Sequence, residues 1–146
     1  MQIISQYMQQ NHRECDELFV HVEASASDGN WADTASHFES FNKLLEQHLN
    51  MEEQVLFPAF ETETGHTQGP TAVMRMEHEQ IRGLIAELKT CYENQDSQRF
   101  LGLSESLMML IQQHNMKEEQ MLYPMTDQAL SDTAAVLADM QALGEA

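Results

Sequence analysis

Apolar residues recur along this chain in steps of three and four, the spacing that lines one face of an α-helix. From about Ile3 to Ala26 the seam reads Ile4, Met8, His12, Cys15, Phe19, Val22, Ala26, and Ser27-Asp28-Gly29-Asn30 interrupts it. A second helix is predicted from Trp31 to about Glu61, with the seam Phe41, Leu45, His48, Glu52, Val55, Ala59 and a bend at Pro58. Proline inside a helix removes one backbone hydrogen bond and crowds a carbonyl one turn back, here that of Gln54. The polar, glycine-bearing stretch Thr62 to Gly69 reads as a loop, and Pro70 suits the first turn of a third helix. That helix carries Met74, His78, Ile81, Ile85, Leu88 and Tyr92, and Asn94-Gln95-Asp96-Ser97 closes it. A fourth helix follows and carries the second motif to Pro124, with the seam Phe100, Leu103, Leu107, Leu110, His114, Glu118, Met121 and Met125, and the alanine-rich stretch from Ser131 to Met140 reads as a short terminal helix. No useful β-alternation occurs. The expectation is an all-α, antiparallel up-down-up-down four-helix bundle with a short C-terminal helix, one domain over 1–146.

Histidines and glutamates stand in these seams, where ionisable groups are costly to bury. The stretch His48-Leu49-Asn50-Met51-Glu52-Glu53-Gln54-Val55-Leu56-Phe57-Pro58 is written again as His114-Asn115-Met116-Lys117-Glu118-Glu119-Gln120-Met121-Leu122-Tyr123-Pro124. Each copy sets a histidine four residues ahead of a glutamate, so both side chains face one object. Antiparallel hairpins bring residues equidistant from a turn to one height, which levels His12 with His48 and His78 with His114, and Glu52 with His78 across the middle turn. Four imidazoles and two carboxylates at one level form a ligand set for two metal ions, each taking two histidines while both carboxylates bridge. Mixed nitrogen and oxygen donors suit iron or manganese, with zinc as a competitor.

Charge narrows the partners. Acidic residues outnumber basic ones 24 to 7, for a formal net charge of -17. Such a surface repels phosphate backbones and anionic lipid, so neither nucleic acid nor a membrane is an expected partner. No stretch approaches the ~20 apolar residues that span a bilayer, and the expectation is a soluble cytoplasmic protein. Cys15 and Cys91 fall within helical patterns and read as reduced, buried small hydrophobes.

These residues resemble the hemerythrin-like, or HHE cation-binding, domains. The likeness spans His12 to about Thr126 and rests on His-x-x-x-Glu-Glu followed by Leu-Phe-Pro on the second helix, by Leu-Tyr-Pro on the fourth, and on Glu77-His78-Glu79 on the third. The resemblance implies two oxo- or hydroxo-bridged iron ions, with His12 and His48 on one, His78 and His114 on the other, and Glu52 and Glu118 between them. It implies a small ligand: O2 or NO for sensing, buffering or delivery, or, as the alternative, peroxide reduction or iron-centre repair. One feature departs from the oxygen carriers, which have two histidines one turn apart on the third helix: a turn before His78 this chain has Met74, and a turn after it Arg82. Glu53 and Glu119 read as outer charges or partners for a histidine N–H, and Phe57 and Tyr123 as packing around the site. His37 reads as a boundary residue, and His21 as solvated.

Overall fold

The computed structural model describes residues 3–145, apart from the side chain of Glu145; Met1, Gln2 and Ala146 lie outside the described residues. Helix α1 (Ile4–Ser27) is followed by α2 (Trp31–Met51), a π-helical turn (Glu52–Leu56) and α3 (Phe57–Thr64). Then come α4 (Pro70–Glu93), α5 (Ser97–Lys117), a second π turn (Glu118–Leu122), α6 (Tyr123–Ala129) and α7 (Thr133–Glu145). Since α2 and α3 join through their π turn, as do α5 and α6, the described residues form a four-helix bundle plus a short C-terminal helix, all-α as expected.

The helix starts follow local chemistry. Asn30 and Asp96 cap α2 and α5, their side chains accepting from the backbone N–H of Asp33 and Arg99 at 3.2 Å each. Gly65, at φ 74°, ends α3 in the left-handed conformation that glycine takes at no steric cost. That stop lies at Thr64, so the helix takes in the first three residues of the stretch expected to be loop.

The largest departure from expectation lies just ahead of each proline. Pro58 has no N–H to return to Gln54, and the irregularity is a widened turn in which Phe57 N–H bonds to Glu52 O, five residues back. Tyr123 N–H does the same to Glu118 O ahead of Pro124. One extra residue in a turn rotates everything after it by roughly 100°. Val55 and Ala59, expected in the seam, therefore yield to Leu56, Phe57 and Phe60, and Met121 and Met125, expected beside them, stand 59% and 38% exposed. Leu122, Tyr123 and Thr126 are buried in their stead. Leu103 and Leu110 are likewise only partly buried, with Ser104 and Ile111 taking the inner positions of α5.

Two apolar clusters result. One, nearer the α1–α2 and α4–α5 turns, holds Phe19, Phe38, Phe41, Leu88, Phe100 and Leu107; the other holds Ile4, Met8, Leu56, Phe57, Leu122 and Tyr123. Helix α7 closes the second cluster with Leu137 and Met140. The histidines and glutamates form a polar layer between them, since His12 follows Met8 and precedes Cys15, and His78 follows Met74 and precedes Ile81. No helix among the described residues is long and apolar enough to cross a membrane.

Candidate metal centre

The bundle brings the six predicted residues together. His12, His48, Glu52, His78, His114 and Glu118 come from α1, α2, the first π turn, α4, α5 and the second π turn, and none is more than 4% exposed. Their ligand atoms fall into two groups, each within 4.8 Å: Glu52, His78, His114 and Glu118 in one, His12, His48 and Glu118 in the other. The hairpin levels hold: His12 Nε2 lies 3.1 Å from His48 Nε2, and His78 Nε2 lies 3.1 Å from Glu52 Oε1. Glu118 Oε1 stands 3.1 Å from His12 Nε2 and 3.3 Å from His114 Nε2. The His-x-x-x-Glu pair of the first copy is separated by 3.5 Å.

Each imidazole is tied from outside by its other nitrogen. His12 Nδ1–H donates to Glu119 at 2.7 Å, His48 to Asn11 Oδ1 at 2.7 Å, His78 to Glu53 at 2.6 Å and His114 to Glu77 at 2.8 Å. An acceptor at Nδ1 fixes the tautomer and aims the Nε2 lone pair inward, as in carboxylate–histidine–metal arrangements. Arg82 in turn grips Glu53 with both Nη atoms, at 2.8 and 3.1 Å, and Lys117 bonds to Glu77. Burial pushes Glu53 and Glu77 up, but these cations and the bonded histidines prevail and hold both carboxyls below their ordinary range. Glu53 and Glu119 were anticipated as partners for a histidine. Asn11, Glu77, Arg82 and Lys117 were not, because a residue beside a ligand in sequence points roughly a third of a turn away and its partner is set by packing.

The ring of acceptors contains more lone pairs than protons. Glu52 Oε1, His78 Nε2, His114 Nε2 and Glu118 Oε2 are buried without any hydrogen-bond partner. Buried polar atoms seldom stay unpaired, and four aimed at one space fit a cation there. Without a cation, protons fill the gap. Burial presses His12 and His114 down, but Glu118, with Glu119 or Glu77 outside, outweighs it and lifts each to about 9. Burial and the neighbouring His12 charge take His48, whose outer partner is the neutral Asn11, down to about 4. Burial and the adjacent Glu118 push Glu52 up to about 7, whereas Glu118, facing His114 and His12, is held well below the usual carboxylate range despite its burial.

A family model, the hemerythrin HHE cation-binding domain, matches residues 3–126. The chain belongs to that family. Comparison with curated proteins and with solved structures gave no significant match. A hemerythrin-like domain with two buried His/Glu groups is a metal-binding protein, and those groups are made up of the six residues singled out in the sequence.

Two aromatic residues complete the layer. Phe57 stacks on His78, with centroids 5.6 Å apart, and Tyr123 on His12 at 5.7 Å, which bears out their expected packing. Tyr123 does more than pack, for its hydroxyl reaches in among the donor atoms. Cys15 and Cys91 are free and buried. His37 stacks on His21 at 5.5 Å, about three turns of α2 from His48.

Proposed function

We propose that this chain is a non-haem di-iron protein that binds a small diatomic ligand, O2 or NO, for sensing, buffering or delivery. The observation that carries the proposal is the convergence of four outward-tethered imidazoles and two buried carboxylates on one layer, with four of their atoms unpartnered. In this reading His12 and His48 hold one iron, His78 and His114 the other, and Glu52 and Glu118 lie between them. Nitrogen and oxygen donors of this mix favour iron or manganese, and zinc competes. Iron would supply reversible one-electron chemistry toward the diatomic molecule. The protein's part is orientation and exclusion: Glu119, Asn11, Glu53 and Glu77 keep the imidazole protons outside, and the apolar clusters on either side keep bulk water from the layer. We further propose that 1–146 acts as one domain, since α7 packs against α2 and the first π turn and shares an apolar cluster with them, and that it works in the cytoplasm.

A second reading, a redox enzyme that reduces peroxide, draws on Met74. Its thioether lies in the apolar cluster one turn before His78, so the His78 side has no further histidine donor there. Metal analysis of protein grown with iron, followed by optical spectra of the anaerobically reduced form before and after O2 or NO, tests both. Two irons per chain with a reversible spectral change support ligand binding; irreversible oxidation with peroxide turnover supports the enzyme instead. Protein that takes up no iron overturns both.

A further inference from the structure

Tyr123 Oη lies 2.8 Å from Glu52 Oε2, 3.0 Å from Glu118 Oε1, 3.1 Å from His12 Nε2 and 3.4 Å from His48 Nε2. A hydroxyl has one proton, and two carboxylate oxygens, of Glu52 and Glu118, face it together with the inward Nε2 atoms of His12 and His48. One proton cannot satisfy both carboxylates. The separations have another meaning: donors that share an ion at ~2.1 Å stand about 3.0–3.4 Å from one another in octahedral to tetrahedral arrangements. His12 Nε2 and His48 Nε2, 3.1 Å apart, obey the same spacing. The ring cannot swing clear, because Tyr123 is fully buried and stacked on His12. An ion accepted by His12, His48 and Glu118 therefore meets the phenol oxygen as well.

We infer that Tyr123 is a third kind of donor to this centre, binding the His12–His48 metal through its phenolate oxygen. The step breaks the phenol O–H bond, forms one metal–oxygen bond and releases one proton to solvent, with no change of oxidation state. The inference rests on the di-iron reading and adds an asymmetry to it. On the other side the position 66 residues earlier is Phe57, which stacks on His78 and has no hydroxyl to offer. The His78–His114 metal is thereby left one protein donor poorer than its neighbour, and the open position falls on that side.

Comparison with Tyr123→Phe separates the signal of this residue from those of Tyr7 and Tyr92. The experiment is the visible absorption and resonance Raman spectrum of the iron(III)-loaded full chain, alongside Tyr123→Phe. The expected result is a phenolate-to-iron charge-transfer band with phenolate ring modes in the parent protein and none in the variant, both containing two irons. Zinc(II) titration of the metal-free protein gives a second readout free of redox chemistry: ultraviolet tyrosinate absorption rising by one tyrosine per chain, again lost in Tyr123→Phe. Phe57 fills the equivalent buried place, so the variant is expected to fold. Should it not, the ring modes and the zinc titration of the parent protein decide alone. Two bound irons with neither phenolate modes nor zinc-induced tyrosinate overturn the inference and leave the di-iron reading standing. A chain that binds no metal overturns both.

Discussion

The bundle is two copies of one plan, and its chemistry lies where the copies disagree. Residues 4–64 and 70–130 correspond at a constant offset of 66: His12 to His78, His48 to His114, Glu52 to Glu118, Pro58 to Pro124. The helices keep the same offset, α1 (Ile4–Ser27) against α4 (Pro70–Glu93) and α2 (Trp31–Met51) against α5 (Ser97–Lys117). Even the braces match, with Ser5 bonded to Asp127 as Thr71 is to Glu61, and Asn11 held to His48 as Glu77 is to His114. Most other positions differ, and a few of those differences adjoin the polar layer. Asn11 is neutral where Glu77 is a carboxylate, Tyr123 has a hydroxyl where Phe57 has none, and the cations Arg82 and Lys117 answer to Asp16 and Met51. Helix α7 also covers one side only: Met51 is buried beneath it, while Lys117 is half exposed. Duplication supplies two similar donor pairs, and these substitutions make the pairs electrically unequal.

The inequality is sharpest at the two carboxylates. Glu118 joins both ligand groups and is ionised, while Glu52 sits near pH 7. On the di-iron proposal, Glu118→Ala is expected to abolish metal uptake, and it should cost the metal-free protein about 3–5 kcal/mol, the scale for stranding buried charged partners. Glu52→Ala should cost the metal-free fold less, because much of its charge is already absent at neutral pH. Urea denaturation of the two variants with metal analysis checks this, and equal losses would mean that the halves are electrically alike.

The same charges set a pH dependence for the metal-free form. His12 and His114 have folded values of about 9 against 6.5 when unexposed to partners, so the folded state binds their protons more tightly. Their contribution is complete below pH 6.5 and disappears as pH rises through about 9. His48 has the opposite sign, since at about 4 it resists protonation and subtracts stability as pH falls below 6.5. Chemical denaturation from pH 5 to 10, with His114→Gln as control, should show the alkaline loss shrink in the variant. Iron or zinc uptake should tighten over the same rise, because the ion displaces those protons.

Smaller effects follow from the outer partners. Glu53→Gln should weaken metal binding by about 10–100-fold, the usual consequence of losing a carboxylate behind a ligating histidine. Asn11→Asp should act the other way and tighten binding, making the first half resemble the second; competition with a chelator measures both. The smallest change concerns the turns. Gly29 and Gln95 are counterparts with φ of 70° and 56°, and only the glycine adopts such angles freely. Gln95→Gly should stabilise the fold by roughly 0.5 kcal/mol, strain relief partly offset by a freer unfolded chain. A loss of stability on denaturation would show that the Gln95 side chain has a role beyond the turn.

Sequence alone determined the helices, their antiparallel order and the six inward histidines and glutamates, because burial of a seam has a fixed period and equal distances from a turn give equal heights. The seam of α1 and that of α4 needed no correction, residue for residue. What the sequence did not determine begins at Glu52 and Glu118. A proline in a helix can be relieved by a bend or by a widened turn, and only packing against the other helices selects one. By selecting the π turn, the tertiary structure rotated Met121 out to solvent and Tyr123 in among the ligands. It also chose which neighbour each imidazole leans on, since Glu119 reaches His12 from a different helix and Glu53 reaches His78 likewise. Periodicity specifies a face, but contacts between faces depend on rotation, and one added residue in a turn is enough to change it.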